Sequence, residues 1–328
     1  MNSSLIIALA GLVLALAPPV AQAAPPWPVA AFHEESLRDG IVAFGDSLSD
    51  AGNVFVATGD FARRPFDAFP DAPYLIGGFR FSNGPTWIEW LTRDLGLRQS
   101  GRPSLLWPGR FTNYAFGGAR ARQEGPVNLG TEIDWFLGDF GGAASSDALY
   151  VVWIGGNDLR DAAVAILVGD PVQAERILEE ALAATAEGVR RLYSAGARSF
   201  LIANLPNLGL SPPVRLLGAE AQALARALSA QYNAGLEAIL LELEGQPDIA
   251  ITRLDVFAFL NDLTDNPGPA GLVNVTDSCI VPDVIVGAIC ANPEAYVFWD
   301  VIHPTTRVHR LLSELAQTTL GATLGAGD

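Results

Sequence analysis

Short runs that are apolar throughout alternate along this chain with longer stretches whose apolar residues recur every three to four positions. Strand-like runs fall at residues 41–44, 148–154, 200–204 and 249–254, with a weaker one at 112–116. Helical patterns occupy 85–95, 129–137, 172–195, 219–243 and 305–320. A strand without polar alternation must be covered on both faces, so the pattern predicts an α/β fold, a three-layer α/β/α sandwich around a mainly parallel sheet. Residues 55–83 and 256–298 are rich in Gly, Pro and aromatics and poorly periodic, and read as elaborate loops. With no internal repeat or low-complexity tract, residues 36–328 read as a single domain, preceded by a short lead at 24–35.

The first 23 residues carry no charged side chain, run apolar over 5–17, and end in Ala21-Gln22-Ala23, a small-residue pattern for signal peptidase. This predicts a secretory signal peptide cleaved near Ala23, and a secreted protein, extracellular or periplasmic. The leader has no Lys or Arg, which leaves a retained membrane anchor as the alternative. Its apolar run is shorter than the ~20 residues that span a bilayer, and no other segment qualifies as a stable span.

Acidic residues outnumber basic ones 36 to 20, for a formal charge of −16, and every basic residue is Arg. Such a balance argues against nucleic acid as a partner and against adsorption to anionic lipid, without naming a substrate. Cys279 and Cys290 lie in an irregular stretch, and export would place them in an oxidising compartment, so a disulfide is expected. It would stiffen the approach to the segment that follows by ~2–3 kcal/mol. The alternative is a pair of buried free thiols; a metal site is not expected, because no His or further Cys accompanies them.

In open parallel sheets chemistry gathers where strands end at their carboxyl side. Ser47 stands in Gly45-Asp46-Ser47-Leu48, directly after the first apolar run, where a nucleophile would sit. The 112–116 run ends in the pair Gly117-Gly118, whose N–H groups can approach a ligand closely. The next run ends in Gly155-Gly156-Asn157-Asp158, and the Asn157 amide is a donor suited to a developing oxyanion. A serine nucleophile needs a base, and the chain has three histidines, His33, His303 and His309. His33 lies in the lead and His309 inside a helical pattern, which leaves His303. Asp300 stands three residues before it, a spacing that can bring a carboxylate onto Nδ1 and leave Nε2 for the serine. Asp50 reads as a cap for the helix that begins near it, and Asp46 as a partner of turn backbone.

These residues resemble, in order, the four blocks of the SGNH, or GDSL, hydrolase superfamily. Gly45 to Leu48 matches the name motif, Gly118 the oxyanion glycine, Asn157 the oxyanion asparagine, and Asp300 with His303 the last block. Gly78-Phe-Arg-Phe-Ser-Asn-Gly84, Asn204-Leu-Pro-Asn-Leu-Gly209, Tyr232-Asn233 and Phe298-Trp-Asp300 are similar to the secreted lipase/esterase branch. The resemblance implies a flavodoxin-like, five-stranded sheet, no cofactor and no metal, and an acyl-enzyme on Ser47 with Ser47, Gly118 and Asn157 as oxyanion donors. It implies a small-molecule or lipid ester as substrate. An acyltransferase or lysophospholipase using the same acyl-enzyme is the alternative, followed by a carbohydrate acetylesterase and a non-catalytic surface binding protein. Aromatics of the long loops, Phe55, Phe61, Phe66, Tyr74, Phe79 and Phe81, are candidates for a substrate groove, and Phe79, Phe81 and Trp299 are the expected substrate-binding residues.

Overall fold

The structure, a computed structural model, describes residues 40–324, so the expected signal peptide and the lead at 24–35 lie outside the described residues. Strands β1 (Ile41–Gly45), β2 (Leu149–Trp153), β3 (Ser199–Ala203) and β4 (Ala250–Leu254) form one parallel sheet in that order. The first three are buried nearly end to end, as strands covered on both faces must be, whereas β4 is partly exposed at the edge.

Helices α1 (Asn53–Thr58), α2 (Trp87–Asp94) and α3 (Leu129–Asp139) separate β1 from β2. Helices α4 (Gly156–Leu167) and α5 (Pro171–Ala195) precede β3, and α6 (Pro212–Leu216) and α7 (Ala219–Leu243) precede β4. After β4 come α8 (Val256–Asp265), a small parallel pair β5 (Asn274–Ser278) and β6 (Tyr296–Phe298), and α9 (Thr306–Leu324). Helices α3, α4, α5 and α7 pack on one another, and α2 packs on α9. Those two groups are the outer layers. Between them Phe44, Tyr114, Phe136 and Tyr150 interlock as ring pairs, each side chain worth about 1.5–3 kcal/mol when removed from water.

The sheet has four regular strands, and an irregular segment takes the fifth place implied by the resemblance. Residues 112–116 do lie against the outer edge of β1, in parallel, through Ala43 N to Thr112 O (2.9 Å), Tyr114 N to Ala43 O (2.7 Å) and Phe116 N to Gly45 O (2.9 Å). Their far edge is met by a mixture of backbone and side chains: Ser104 N donates to Asn113 O at 2.9 Å and Asn113 N to Arg102 O at 3.3 Å. Asn53 Nδ2 donates to the carbonyls of Asn113 and Ala115 at 2.8 and 2.9 Å, and Asn113 turns its own amide onto Ser49 O. The spatial order, with 112–116 outside β1 and β2 on its other side, is the flavodoxin-like one. Its switch point lies between the ends of β1 and β2, where such sheets bind ligands.

The stretch 256–298 is not all loop either. Asp255 caps α8 by accepting from Ala258 N at 3.0 Å, and the apolar run Val256-Phe-Ala-Phe-Leu260 hid the helix because it has no polar interruption to set a period. Helices α4 and α6 also escaped the sequence pattern, being Gly- and Ala-rich or short, whereas α1 begins where Asp50 was expected to cap a helix.

Asn53 closes the fold at the irregular edge: besides its two donations, its Oδ1 accepts from Leu105 N at 3.1 Å. Asn53→Ala should lower the unfolding free energy by about 2–4 kcal/mol, because buried backbone groups lose their partners. Chemical denaturation checks this, and an unchanged midpoint would mean that 112–116 is held in place by other contacts.

Candidate active site

The first turn after β1 holds Ser47. Ser49 N and Asp50 N both donate to Asp46 O at 3.0 Å, and Leu48 N donates to Asp46 Oδ1 at 3.0 Å, so the peptide around the serine is wound into one tight turn. Gly45 allows that turn to start between two strands: a Cβ there would lie 2.4 Å from Trp153 O. Asp46 and Asp50 therefore take the structural roles expected of them.

His303 arrives from the far end of the chain. Trp299 N donates to His303 O at 2.8 Å and Thr305 N to Val297 O at 3.0 Å, which closes the loop between β6 and α9. Ser82 Oγ donates to Pro304 O at 2.9 Å and Asn83 Oδ1 accepts from Thr306 N at 2.8 Å, fastening that loop to the 82–85 segment. His303 Nε2 then lies 2.7 Å from Ser47 Oγ, and its Nδ1 lies 2.8 Å from Asp300 Oδ2. Asp300 and His303 are buried, and Ser47 is partly open. Asp300 Oδ1 accepts from Ile302 N (2.9 Å) and His303 N (2.7 Å), while Tyr74 Oη donates to Oδ2 at 3.1 Å.

Gly118 and Asn157 come to the same place. Gly118 has φ +81°, a left-handed conformation that disfavours side chains, and no atom lies within 4 Å of where its Cβ would be. Asn157, in the first turn of α4, donates through Nδ2 to Ala119 O at 2.8 Å, which leaves its second amide hydrogen unused. Among the described residues neither the Ser47 nor the Gly118 N–H has a protein partner. The loop carrying Gly118 is clamped to α4: Asp158 accepts from Ala121 N at 2.8 Å and from Arg122 Nη1 at 2.7 Å, and Asp161 accepts from Arg120 Nε and Arg122 Nη2, each at 2.6 Å.

The aromatics divide. Phe81 packs beside His303 with ring centroids 5.3 Å apart, and Phe79, at φ +66°, stacks on Phe55 at 3.6 Å with Phe61 edge-on at 5.9 Å. Phe66, Tyr74 and Trp299 do not line an open surface. They are buried together with Cys279, Ile280 and Ala288, and Trp299 is fully enclosed behind Asp300. Trp299 as a substrate-binding residue is thereby corrected, because a ring with no exposed surface cannot touch a ligand from solvent. Cys279 and Cys290 form a disulfide beside that cluster. No group of three or more His, Cys, Asp or Glu suited to a metal occurs among the described residues.

Glu132 was missed. Buried on α3, it accepts from Gly45 N at 2.9 Å and from Phe116 N at 3.2 Å, joining the end of β1 to the segment before Gly118. Its signal was present, since a carboxylate among Leu129, Ile133 and Phe136 sits on the apolar side of a helix.

A family model described as GDSL-like lipase/acylhydrolase matches residues 41–316. Thermolabile hemolysin of Vibrio parahaemolyticus is 28% identical over 292 residues, covering 84% of this chain and 62% of that protein, so the chain spans less than two thirds of that relative. A GDSL esterase/lipase of Arabidopsis thaliana is 26% identical over 305 residues, covering 83% and 86%. A phosphatidylcholine-sterol acyltransferase of Aeromonas hydrophila is 26% identical over 332 residues, covering 85% and 89%. Among solved structures, an extracellular lipase of Streptomyces rimosus aligns with TM-score 0.42 and 16% identity over 87% of this chain and 99% of that one.

Charge beneath the site is unevenly placed. Burial pushes the Asp46 and Asp50 carboxyls up to about 6, against the pull of the backbone N–H groups they accept, and burial raises Glu132 well above its ordinary range. His309 goes the other way, to about 3, through burial and then the nearby His303, so it stays neutral. Because Asp46 and Asp50 hold protons more tightly folded than unfolded, their contribution to stability grows as pH falls from about 6 toward 4. Asp161 also feels burial, but Arg120 and Arg122 hold it below its ordinary value, so its stabilisation is lost only beneath that window. His309 opposes this below about 6.5, where the unfolded chain binds a proton that the folded one does not, but three raised carboxyls, Asp46, Asp50 and Glu132, outnumber that one imidazole, so the thermal midpoint should be higher at pH 5 than at pH 7.5. A scanning calorimetry series across that range would overturn this if the midpoint fell steadily with acidification.

Proposed function

The chain belongs to the GDSL-like lipase/acylhydrolase family, and we propose that it is a serine hydrolase cleaving carboxylic esters through an acyl-enzyme on Ser47. The observation that carries this reading is the unbroken line from Ser47 Oγ to His303 Nε2 to Asp300 Oδ2, at 2.7 and 2.8 Å. Ser47 Oγ attacks the ester carbonyl as its proton passes to Nε2, and Asp300 steadies the imidazolium. The oxyanion takes hydrogen bonds from the free N–H groups of Ser47 and Gly118 and from the second amide hydrogen of Asn157. On collapse the C–O bond breaks and the alcohol leaves with the proton from Nε2. Water then gives its proton to Nε2, attacks the acyl-enzyme, and releases the acid and Ser47.

The half-buried stack of Phe55, Phe61 and Phe79 supports an apolar wall for the acyl chain, while Phe81, buried in the main core, packs beside His303. Export, with cleavage near Ala23, is part of the same reading, and the Cys279–Cys290 disulfide supports an oxidising compartment. A second reading is acyl transfer to an alcohol, favoured by the similarity to an acyltransferase along most of that protein's length. Supplying glycerol or a sterol separates the two, since a transferase forms more new ester than free acid.

Ser47→Ala and His303→Ala should abolish ester cleavage above the residual that binding and the oxyanion donors supply, and Asn157→Ala should lower kcat by roughly 10²- to 10³-fold. Asp300→Asn should cost less than Ser47→Ala. A fluorophosphonate should label Ser47 covalently. Full activity in Ser47→Ala would sink the mechanism, and an unlabelled, inactive chain would favour a binding protein.

A further inference from the structure

Tyr74 takes no part in the steps above, yet its hydroxyl donates at 3.1 Å to Asp300 Oδ2, the same oxygen that faces His303 Nδ1 at 2.8 Å. Its ring is 1% exposed, so this oxygen is the phenol's working partner and not a surface contact. The ring is held edge-on by Trp299 (centroids 5.7 Å) and by Phe66 (5.4 Å). Backbone fixes its position too, through Tyr74 N to Arg80 O (2.9 Å) and Phe79 N to Tyr74 O (2.8 Å). The disulfide-closed hairpin lies against the same cluster and pairs with the residues just before Asp300, by Cys279 N to Phe298 O (3.0 Å) and Ile280 N to Trp299 O (2.8 Å). Phenol and carboxylate are thus fixed by one small core.

We propose that Tyr74 is a positioning residue for the Ser47–His303–Asp300 line: its phenol holds Asp300 Oδ2 and takes up part of the carboxylate's charge, setting how strongly Asp300 attracts a proton onto His303. This deepens the serine-hydrolase reading and rests on it. A charged carboxylate bonds more strongly to a donor than a neutral acceptor does, so two donors on one oxygen compete for its charge. Burial, and then the Asp300 charge, push the phenol well above its ordinary range, so it remains a donor at every working pH. Other charges face the pair. Asp67 and Asp71 lie near Tyr74 from its own loop, Asp46 faces His303 from the turn after β1, and the neutral His309 faces it from α9. None of these supplies a hydrogen bond to Asp300 Oδ2, so its loss would not be replaced by them.

Tyr74→Phe keeps the ring and removes the hydroxyl. Asp300 then gives its full charge to the imidazolium, His303 binds its proton more tightly, and the acid limb of kcat/KM, which needs neutral His303, moves to higher pH. We expect a rise of roughly 0.3 to 1 pH unit, with KM for a neutral short-chain ester little changed and kcat at its plateau lowered by roughly 2- to 10-fold. The position of the limb does not depend on the fraction folded. A 3-fluorotyrosine at position 74, a stronger donor of nearly the same size, should move the limb the other way. Limbs unmoved in both proteins overturn the role of Tyr74, whatever happens to kcat, since a merely structural tyrosine changes amount and not pH dependence. A wild-type chain that takes no fluorophosphonate at Ser47 removes the underlying reading and this proposal together, whereas an unmoved limb in a labelled enzyme removes only the role of Tyr74.

Discussion

The Asp50 carboxylate is the contact on which the rest of the site's geometry hangs. It accepts from Gly52 N (2.7 Å) and Asn53 N (2.6 Å) through one oxygen, and from Val54 N (3.2 Å) and Gly117 N (2.9 Å) through the other. One buried group thus fixes the end of the turn that carries Ser47, the start of α1, and the peptide next to Gly118. Glu132 repeats the device one layer below, between Gly45 and Phe116. The cause is topological. Where β1 ends, α1 begins and the chain runs on past Phe116, the N–H groups of Gly52, Asn53, Val54 and Gly117 have no strand to pair with, and buried donors must find other acceptors. Carboxylates with two oxygens and several lone pairs meet that need with the fewest residues.

Burying such groups opposes ionisation, which is why Asp46, Asp50 and Glu132 all rise. The cost falls in the ionised state and not in the geometry, because the same N–H groups that lower the carboxylate's energy are the ones that need placing. The site therefore trades stability at neutral pH for a fixed turn, a pattern expected where preorganised donors must face a reacting atom.

Much of the site was legible because the residue types that carry chemistry are scarce here. Three histidines reduce to His303 by position, the Asp300 spacing is local, and Ser47, Gly118 and Asn157 follow apolar runs that mark strand ends. The pattern of apolar runs indicated a parallel sheet covered on both faces, and the sheet order came only from the family resemblance. What supports the site was not legible. Glu132 is 87 residues from Gly45, and Tyr74 is 226 from Asp300, and contacts across such distances leave no period in the sequence. Composition also cannot say which way a loop aromatic faces. Phe81 packs beside His303 and Phe79 stays half-buried on Phe55 and Phe61, while Phe66, Tyr74 and Trp299, from equally aromatic stretches, turn inward to make a second core.

That second core explains why two long, unperiodic loops can hold the candidate site's geometry. Residues 66–74 and 279–299 lack the period that would bury them as helix or strand, yet between them they enclose three large rings and a disulfide. The β5–β6 pair is short and half-exposed and would be marginal alone. Cross-linking residues 279 and 290 removes unfolded-chain freedom where little apolar area is available to offset it. Trp299 and Asp300 stand in the bend after β6, where Trp299 N donates to His303 O and Tyr74 donates to Asp300, so rings anchored in this core hold the carboxylate beside His303. The loop's order is thus borrowed from packing behind the site, while the face toward Ser47 stays open.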